Sequence, residues 1–425
     1  MTFENFVESA IQTARIIETG EPAVTLAHPL LNGVPYSVFR REVSIETRRE
    51  IGAFFSSDAM AMELVSQLDG RIDDDALVLD PTCGIGNLLL ARAATLPMGD
   101  TLASTLASWG DRLAGFDSRD DLVQLCKVRL CMLARARGNF NDEIDPLRTF
   151  PQILGQDMFA PESEELLGRA DAVLFNPPFG KTRWPEKLGW ASGEINAAAI
   201  FLDRLTSVIK PTAPIAAVLP EVLRCGARYE RFRSMLSQRN YSGSFTLRGR
   251  FDPWTDVDVF TTLLARSTTK EPLWRNAATD QEAHLADRYE IRVGTVVPHR
   301  DPESGASRLY ICAKTTPAWE PAFKPSARRL YEGRVFSPPF VVIRRTSSPS
   351  DKMRAVATVV TGKEPVAVEN HLLVAIPNDS SLSACQSLIE MLRLPEINER
   401  LNDLMRCRHL TTGAIKGLPL ITPSV

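Results

Sequence analysis

Asn176-Pro177-Pro178-Phe179 follows the short apolar run Ala172 to Phe175. An asparagine side chain offers a neutral acceptor, two successive prolines hold their carbonyls in fixed directions, and an aromatic ring gives a planar ligand a surface. Three acidic residues stand at the ends of three earlier runs. Asp80 closes Leu77-Val78-Leu79, Asp117 closes Leu113-Ala114-Gly115-Phe116, and Asp157 follows Ile153-Leu154 with Met158 beside it. Behind Asp80 and Pro81 comes a turn with Gly84 and Gly86, residue types that let a backbone approach a ligand closely. Such carboxylates suit the two hydroxyls of a ribose or an exocyclic amine. Each signal also has a plain reading. A Pro-Pro pair is a stiff turn, GxG is a tight strand-to-helix connection, and Asp117 can cap its helix. Four in series, each at the end of an apolar run, are much less expected by chance.

The elements that would position these residues alternate. Strands are expected at 76–79, 112–116, 153–154, 172–175, 215–219, 244–247 and 260–264. Helices are expected from Glu46 through Leu68, at 87–94, 119–137, 200–209 and 228–238. Strands separated by helices of this length imply a mostly parallel sheet covered on both faces, an α/β fold. In such a sheet ligands lie at the carboxyl ends of the strands. The alternation fades after Ser267. The remainder carries β-like runs at Phe340–Ile343 and Leu372–Ile376 and a helix from Leu382 to Leu392, so a second, mixed α+β domain is expected. The boundaries are 1–45 for a helical N-terminal arm, 46–268 for the α/β domain and 269–425 for the last.

With 425 residues, 44% of them hydrophobic, the chain has the material for two cores. No apolar run is long enough to span a bilayer and the N-terminus is acidic and amphipathic, so no membrane role or signal peptide is expected. The seven cysteines and five histidines are scattered without ligand spacing. That argues for free thiols in a reducing cytoplasm and against a metal centre. The net charge of −3 hides an asymmetry. Residues 1–150 hold 14 Lys/Arg against 22 Asp/Glu, a balance of −8, while residues 300–425 hold 17 against 12, a balance of +5. An acidic front and a basic back suit a catalytic domain joined to a region that meets an anionic partner.

In their order these motifs resemble the S-adenosylmethionine-dependent DNA adenine-N6 methyltransferases. The similarity is to the subgroup with cofactor motifs first, the catalytic motif next and target recognition last, as in type I and type II restriction-modification methylases. Ile51–Ala61 resembles the segment upstream of the family's glycine loop, and Asp80–Gly86 the loop itself. Gly115-Phe116-Asp117 resembles the ribose-binding strand end, Gly155–Phe159 the adenine-binding one, and Asn176–Phe179 the catalytic motif. The resemblance covers about Ile51 to Ala265. It implies a Rossmann-like class I methyltransferase fold, with S-adenosylmethionine held by Phe54, Phe55, Asp80, Pro81, Gly84, Gly86, Asp117, Asp157, Met158 and Asn176. It also implies that the Asn176 side-chain oxygen and the Pro177 carbonyl accept the N6 hydrogens of a flipped-out adenine, with Pro178 fixing the turn and Phe179 stacking on the base. The sequence departs from the family pattern at Ser56-Ser57, where Thr-Pro is usual, at Asn87, where a small residue is usual, and at Asp117, where Glu is common.

Double-stranded DNA is the expected partner, with a specificity or restriction subunit as a further one. Lys181, Arg183 and Trp184, after the catalytic motif, and Arg344-Arg345, in the basic region, are candidate DNA contacts. Ordinary surface solvation or local packing is the competing reading for all five. Two other functions stay open: the same fold acting on RNA or on a protein glutamine, and an inactive methyltransferase fold kept as a DNA-binding or assembly module. The long C-terminal region favours DNA, and the intact acids, glycines and Asn176 argue against loss of activity.

Overall fold

The computed structural model describes residues 2–15, 24–50, 55–185, 188–252, 255–267, 273–274 and 283–421. Two compact units emerge, one of Met1–Leu223 with Arg231–Trp274 and one of Arg224–Glu230 with Arg275–Val425.

In the first unit, short and mostly buried runs of three to six residues become the parallel strands. β1 (Val78–Asp80), β2 (Leu113–Asp117), β3 (Ile153–Gly155), β4 (Ala172–Phe175) and β7 (Ile215–Pro220) are all parallel. β5 (Lys181–Arg183) and β6 (Glu194–Asn196) form a small antiparallel ribbon of their own. β8 (Tyr241–Asp252) and β9 (Thr255–Arg266) complete the main sheet as antiparallel strands, giving the order β3-β2-β1-β4-β7-β9-β8. The chain therefore runs outward from β1 in both directions, and the crevice between β1 and β4 is the switch point at which open α/β sheets receive ligands. This is the mostly parallel α/β sheet expected from the alternation.

The helices of this unit are α1 (Phe3–Arg15), α2 (Val34–Glu42), α3 (Ile45–Glu50), α4 (Asp58–Ser66), α5 (Asn87–Ala93), α6 (Leu102–Arg112), α7 (Asp120–Gly138), α8 (Glu164–Arg169), α9 (Ala197–Val208), α10 (Glu221–Cys225) and α11 (Glu230–Gln238). The N-terminal helix α1 packs against α7. Val7, Ala10, Ile11 and Ala14 of α1 pack with Leu125, Val128 and Met132 of α7, around Phe39 of α2. Two turns with apolar residues at i, i+3, i+4 and i+7 suffice for that seam. Two expectations are corrected, and one element, α6, was not anticipated. The single helix from Glu46 to Leu68 is two, because Ser57 caps a new start by accepting from the Met60 amide at 3.3 Å. The span before Leu113 contains α6, started by a reciprocal cap between Thr101 and Ser104. The last two strands run 12 residues each, far beyond the short runs anticipated.

The second unit holds α12 (Leu285–Arg288), β10 (Tyr289–Val293), β11 (Ser307–Ile311), β12 (Arg328–Leu330), β13 (Phe340–Arg344), β14 (Ala357–Val360), β15 (Val366–Val368), β16 (Leu372–Pro377), α13 (Leu382–Leu392), α14 (Pro395–Leu404) and α15 (Thr412–Lys416). Its main sheet, β10-β16-β13-β14, is antiparallel throughout. Alternation along the strands separates two cores. Val341, Ile343, Val359, Leu373 and Ala375 face the helices, whereas Phe340, Val342, Val360, Leu372 and Val374 pack with Ile311, Phe336, Val366 and Val368 near the small sheet β12-β11-β15. No described helix is long and apolar enough to cross a membrane.

Candidate active site

The carboxyl ends of β1 to β4 open onto one cleft. Its walls include Phe55, Ser56, Asp80–Gly84, Asn87, Asp117–Arg119, Gln156–Met158, Asn176, Pro178 and Phe201. Most residues singled out in the sequence thus meet in one place. Pro177 and Phe179 lie behind that wall, both buried, and Phe54 lies outside the described residues. Phe201, on α9, is a wall residue that the motifs did not point to. It stands in a helix with no motif of its own, and only the packing of Phe159 against it at 4.8 Å ties it to the Asp157 segment.

The glycine loop is shaped by contact from behind. Gly84 has φ +50 and Gly86 has φ +84. A Cβ on Gly84 would lie 2.6 Å from the Phe55 ring, and one on Gly86 would lie 2.4 Å from the Cys126 sulfur. Only glycine fits either position. Phe55 in turn leans on Phe39 and Tyr36, with ring centroids 5.3 Å apart in each pair.

The acids differ in environment. Asp80 is 1% exposed, and burial pushes its carboxyl up to about 7, with the nearby Asp117 adding to the rise. Its Oδ1 accepts the Thr82 amide at 3.1 Å. Asp117 is pushed up to about 6 by burial, although its carboxylate accepts the amides of Gly84 (3.1 Å) and Arg119 (2.9 Å). Asp157 is exposed and accepts the Phe159 amide at 3.0 Å. One buried and one half-buried carboxylate without a salt-bridge partner among the described residues, facing a cleft, fit a ligand that brings a cation and hydroxyl donors. S-adenosylmethionine carries both. Among the described residues no group of three or more His, Cys, Asp or Glu could hold a metal ion.

On the β4 side, Asn176 donates from Nδ2 to the Ser56 hydroxyl at 3.0 Å, and its carbonyl accepts from the Thr82 hydroxyl at 3.2 Å. The Phe179 ring meets Phe251 edge to face at 5.3 Å, and the ring is 8% exposed, so the aromatic platform is covered. Asn196 donates to the Phe179 carbonyl at 2.8 Å and ties β6 to the motif.

The candidate DNA contacts divide. Lys181 and Arg183 are exposed on β5, with Arg183 3.7 Å from Glu194. Trp184 packs on Phe159 at 4.7 Å, the local-packing alternative. Arg344 donates to the Thr316 carbonyl at 3.0 Å, and Arg345 to those of Asn370 (3.3 Å) and Leu410 (3.4 Å). Both guanidiniums would have to leave these carbonyls to grip a phosphate.

Residues 32–238 match the family model described as N-6 DNA Methylase. S-adenosylmethionine is the methyl donor this match implies. No curated protein matches the sequence. Among solved structures, the type IIL restriction-modification enzyme MmeI in complex with DNA aligns with a TM-score of 0.58 at 14% identity, over 94% of this chain and 72% of that one. The type IIG restriction endonuclease BpuSI aligns at 0.47 and 14%, over 92% and 61%. The M protein of the type I restriction enzyme EcoKI aligns at 0.37 and 12%, over 64% and 55%. The chain thus spans less than two thirds of the last two. The MmeI alignment shows a shared fold that extends across nearly all of the chain.

Proposed function

We propose, with the N-6 DNA methylase match over residues 32–238 as premise, that the protein methylates N6 of adenine at a specific sequence in double-stranded DNA. It would act as the modifying component of a restriction-modification or phage-defence system. One observation carries this reading: Asp80, Asp117 and Asn176 converge on a single cleft at the switch point of the sheet.

S-adenosylmethionine supplies an electrophilic methyl group on a sulfonium. The chain supplies the rest. Asp117 accepts ribose hydroxyls, Asp80 offsets cationic charge beside the glycine loop, and Asp157 reaches toward the adenine amine of the cofactor. The nitrogen lone pair of the target is delocalised into its ring. The Asn176 side-chain oxygen and the Pro177 carbonyl accept its two hydrogens, and so draw the nitrogen toward tetrahedral geometry. Proline fixes φ, so the carbonyl direction needs no rearrangement at the moment of reaction. The base must leave the duplex to reach these acceptors, at a cost of a few kcal/mol. Phe179 becomes a platform for it once Phe251 yields its edge contact, and stacking returns about 1–3 kcal/mol. The basic C-terminal region supplies the DNA grip.

The test incubates the purified chain with radiolabelled S-adenosylmethionine and unmodified DNA, with Asn176→Ala as control, and digests the product to nucleosides. Label in N6-methyladenosine that vanishes in the control supports the reading. Label only in RNA or on protein transfers the fold to another substrate. Neither label nor cofactor binding leaves an assembly module.

A further inference from the structure

Two places where the sequence departs from its family pattern meet in space, and both reach the catalytic motif. Ser56 stands where threonine is usual, Ser57 where proline is usual, and Asn87 where a small residue is usual. Asn87 donates from Nδ2 to the Ser56 carbonyl at 2.6 Å. Its Oδ1 accepts from Arg129 Nη1 at 2.6 Å. Arg129 is 2% exposed and also holds the Ile85 carbonyl (2.6 Å) and the Leu30 carbonyl (2.7 Å). Ser57 has φ −67, the angle a proline ring would impose. Ser57 thus keeps a proline-compatible φ without the ring, and Asn87, backed by the buried arginine, holds the Ser56 carbonyl before it.

What this arrangement presents is the Ser56 hydroxyl, on a residue 2% exposed, accepting the Asn176 amide nitrogen at 3.0 Å. A carboxamide is planar. Fixing its nitrogen on one side fixes its oxygen on the other. Turned over, the same group would present N–H to an amine that itself has only N–H to donate. We propose that Ser56 is a positioning residue for methyl transfer, holding the Asn176 carboxamide so that its oxygen faces the substrate amine. This rests on the adenine-methylating reading above.

The experiment compares Ser56→Ala and Ser56→Thr with the wild type. Loss of the hydroxyl should lower kcat by about 10- to 100-fold, the scale of a slight misplacement of a reacting group. The dissociation constant for S-adenosylmethionine should change far less than kcat, because the lost hydroxyl is engaged by the Asn176 amide. Ser56→Thr, which keeps the hydroxyl, should restore kcat to within about threefold. A readout independent of turnover follows the Asn176 side-chain amide in protein labelled with 15N-asparagine, its signals assigned by their absence in Asn176→Ala. In Ser56→Ala these signals should move and exchange faster with water. An unchanged kcat in Ser56→Ala overturns the proposal, as does a loss confined to cofactor affinity or unmoved Asn176 amide signals. If the wild type makes no N6-methyladenine, the functional reading fails by that result. The amide signals then decide separately whether Ser56 holds Asn176.

Discussion

At the scale of single residues, Asp80 and Asp117 are costly for the folded protein and useful to a cationic ligand. Burial raises their carboxyls to about 7 and about 6, well above the ordinary carboxylate range. The folded state therefore binds more protons than the unfolded one between that range and these values, and their contribution to stability falls as pH rises through that window. Above it, both carboxylates are ionised, Asp80 buried and Asp117 half-buried. Asp80→Asn keeps an oxygen for the Thr82 amide and removes the charge. It should raise Tm at pH 8, leave it nearly unchanged at pH 5, and abolish measurable S-adenosylmethionine binding. Differential scanning fluorimetry and calorimetric titration check the two halves; a lower Tm at pH 8 would contradict the burial argument. Because a bound cation favours the ionised form, cofactor binding at pH 6.5 should release on the order of one proton. Titrations in two buffers of different ionisation enthalpy read that release directly. Proton uptake, or none, would remove these acids from the cation's environment.

At the scale of elements, the turn from β1 into α5 is the least tolerant part of the site. Gly86 combines φ +84 with a would-be Cβ 2.4 Å from the Cys126 sulfur, so strain and overlap add. Gly86→Ala should destabilise the protein by about 1–3 kcal/mol in urea unfolding and reduce cofactor affinity with it. A variant of wild-type stability would mean that α7 yields easily at Cys126. The demand for glycine could be read in the sequence, as could the ends of β1, β2 and β4, because an acid or Asn-Pro after an apolar run is a local signal. What was not legible was set at a distance. α6 hides its Thr101/Ser104 cap in a run of small residues, and its buried Leu102, Leu106 and Trp109 are recognisable only once the sheet they cover exists. β8 alternates exposed and half-buried residues from Ser244 to Phe251, with Arg248 and Arg250 outward, and its length is decided by pairing with β9. β10 pairs with β16, more than 80 residues later, and carries no signal without it. The hydrogen bond from Asn176 to Ser56 spans 120 residues, which is why Ser56 read as an incidental departure.

At the scale of the whole molecule, the two units carry opposite charge balances. Residues 1–150, within the first unit, carry the balance of −8, and residues 300–425, within the second, carry +5. Several arginines of the second unit are already held by the protein's own acceptors. Arg354 is 1% exposed and donates to Asn402 Oδ1 at 2.9 Å and to the carbonyls of Met405 and Cys407, while Arg344 and Arg345 hold carbonyls as well. Phosphate neutralisation then falls to outward side chains, of which Lys314, Lys324, Lys352 and Lys363 are exposed. Each lysine that meets a phosphate adds about 0.9 to the slope of log affinity against log salt concentration. Binding of the full chain to duplex DNA, followed by fluorescence anisotropy between 50 and 200 mM salt, should therefore weaken steeply. Replacing all four lysines by glutamine should flatten the slope by up to about 3.6 on the same scale, with cofactor affinity unchanged. If the quadruple variant keeps the wild-type slope, the DNA grip lies elsewhere, and Lys181 and Arg183 on β5 become the next pair to neutralise. If the wild type itself shows no salt dependence, the basic half of the chain serves some purpose other than binding DNA.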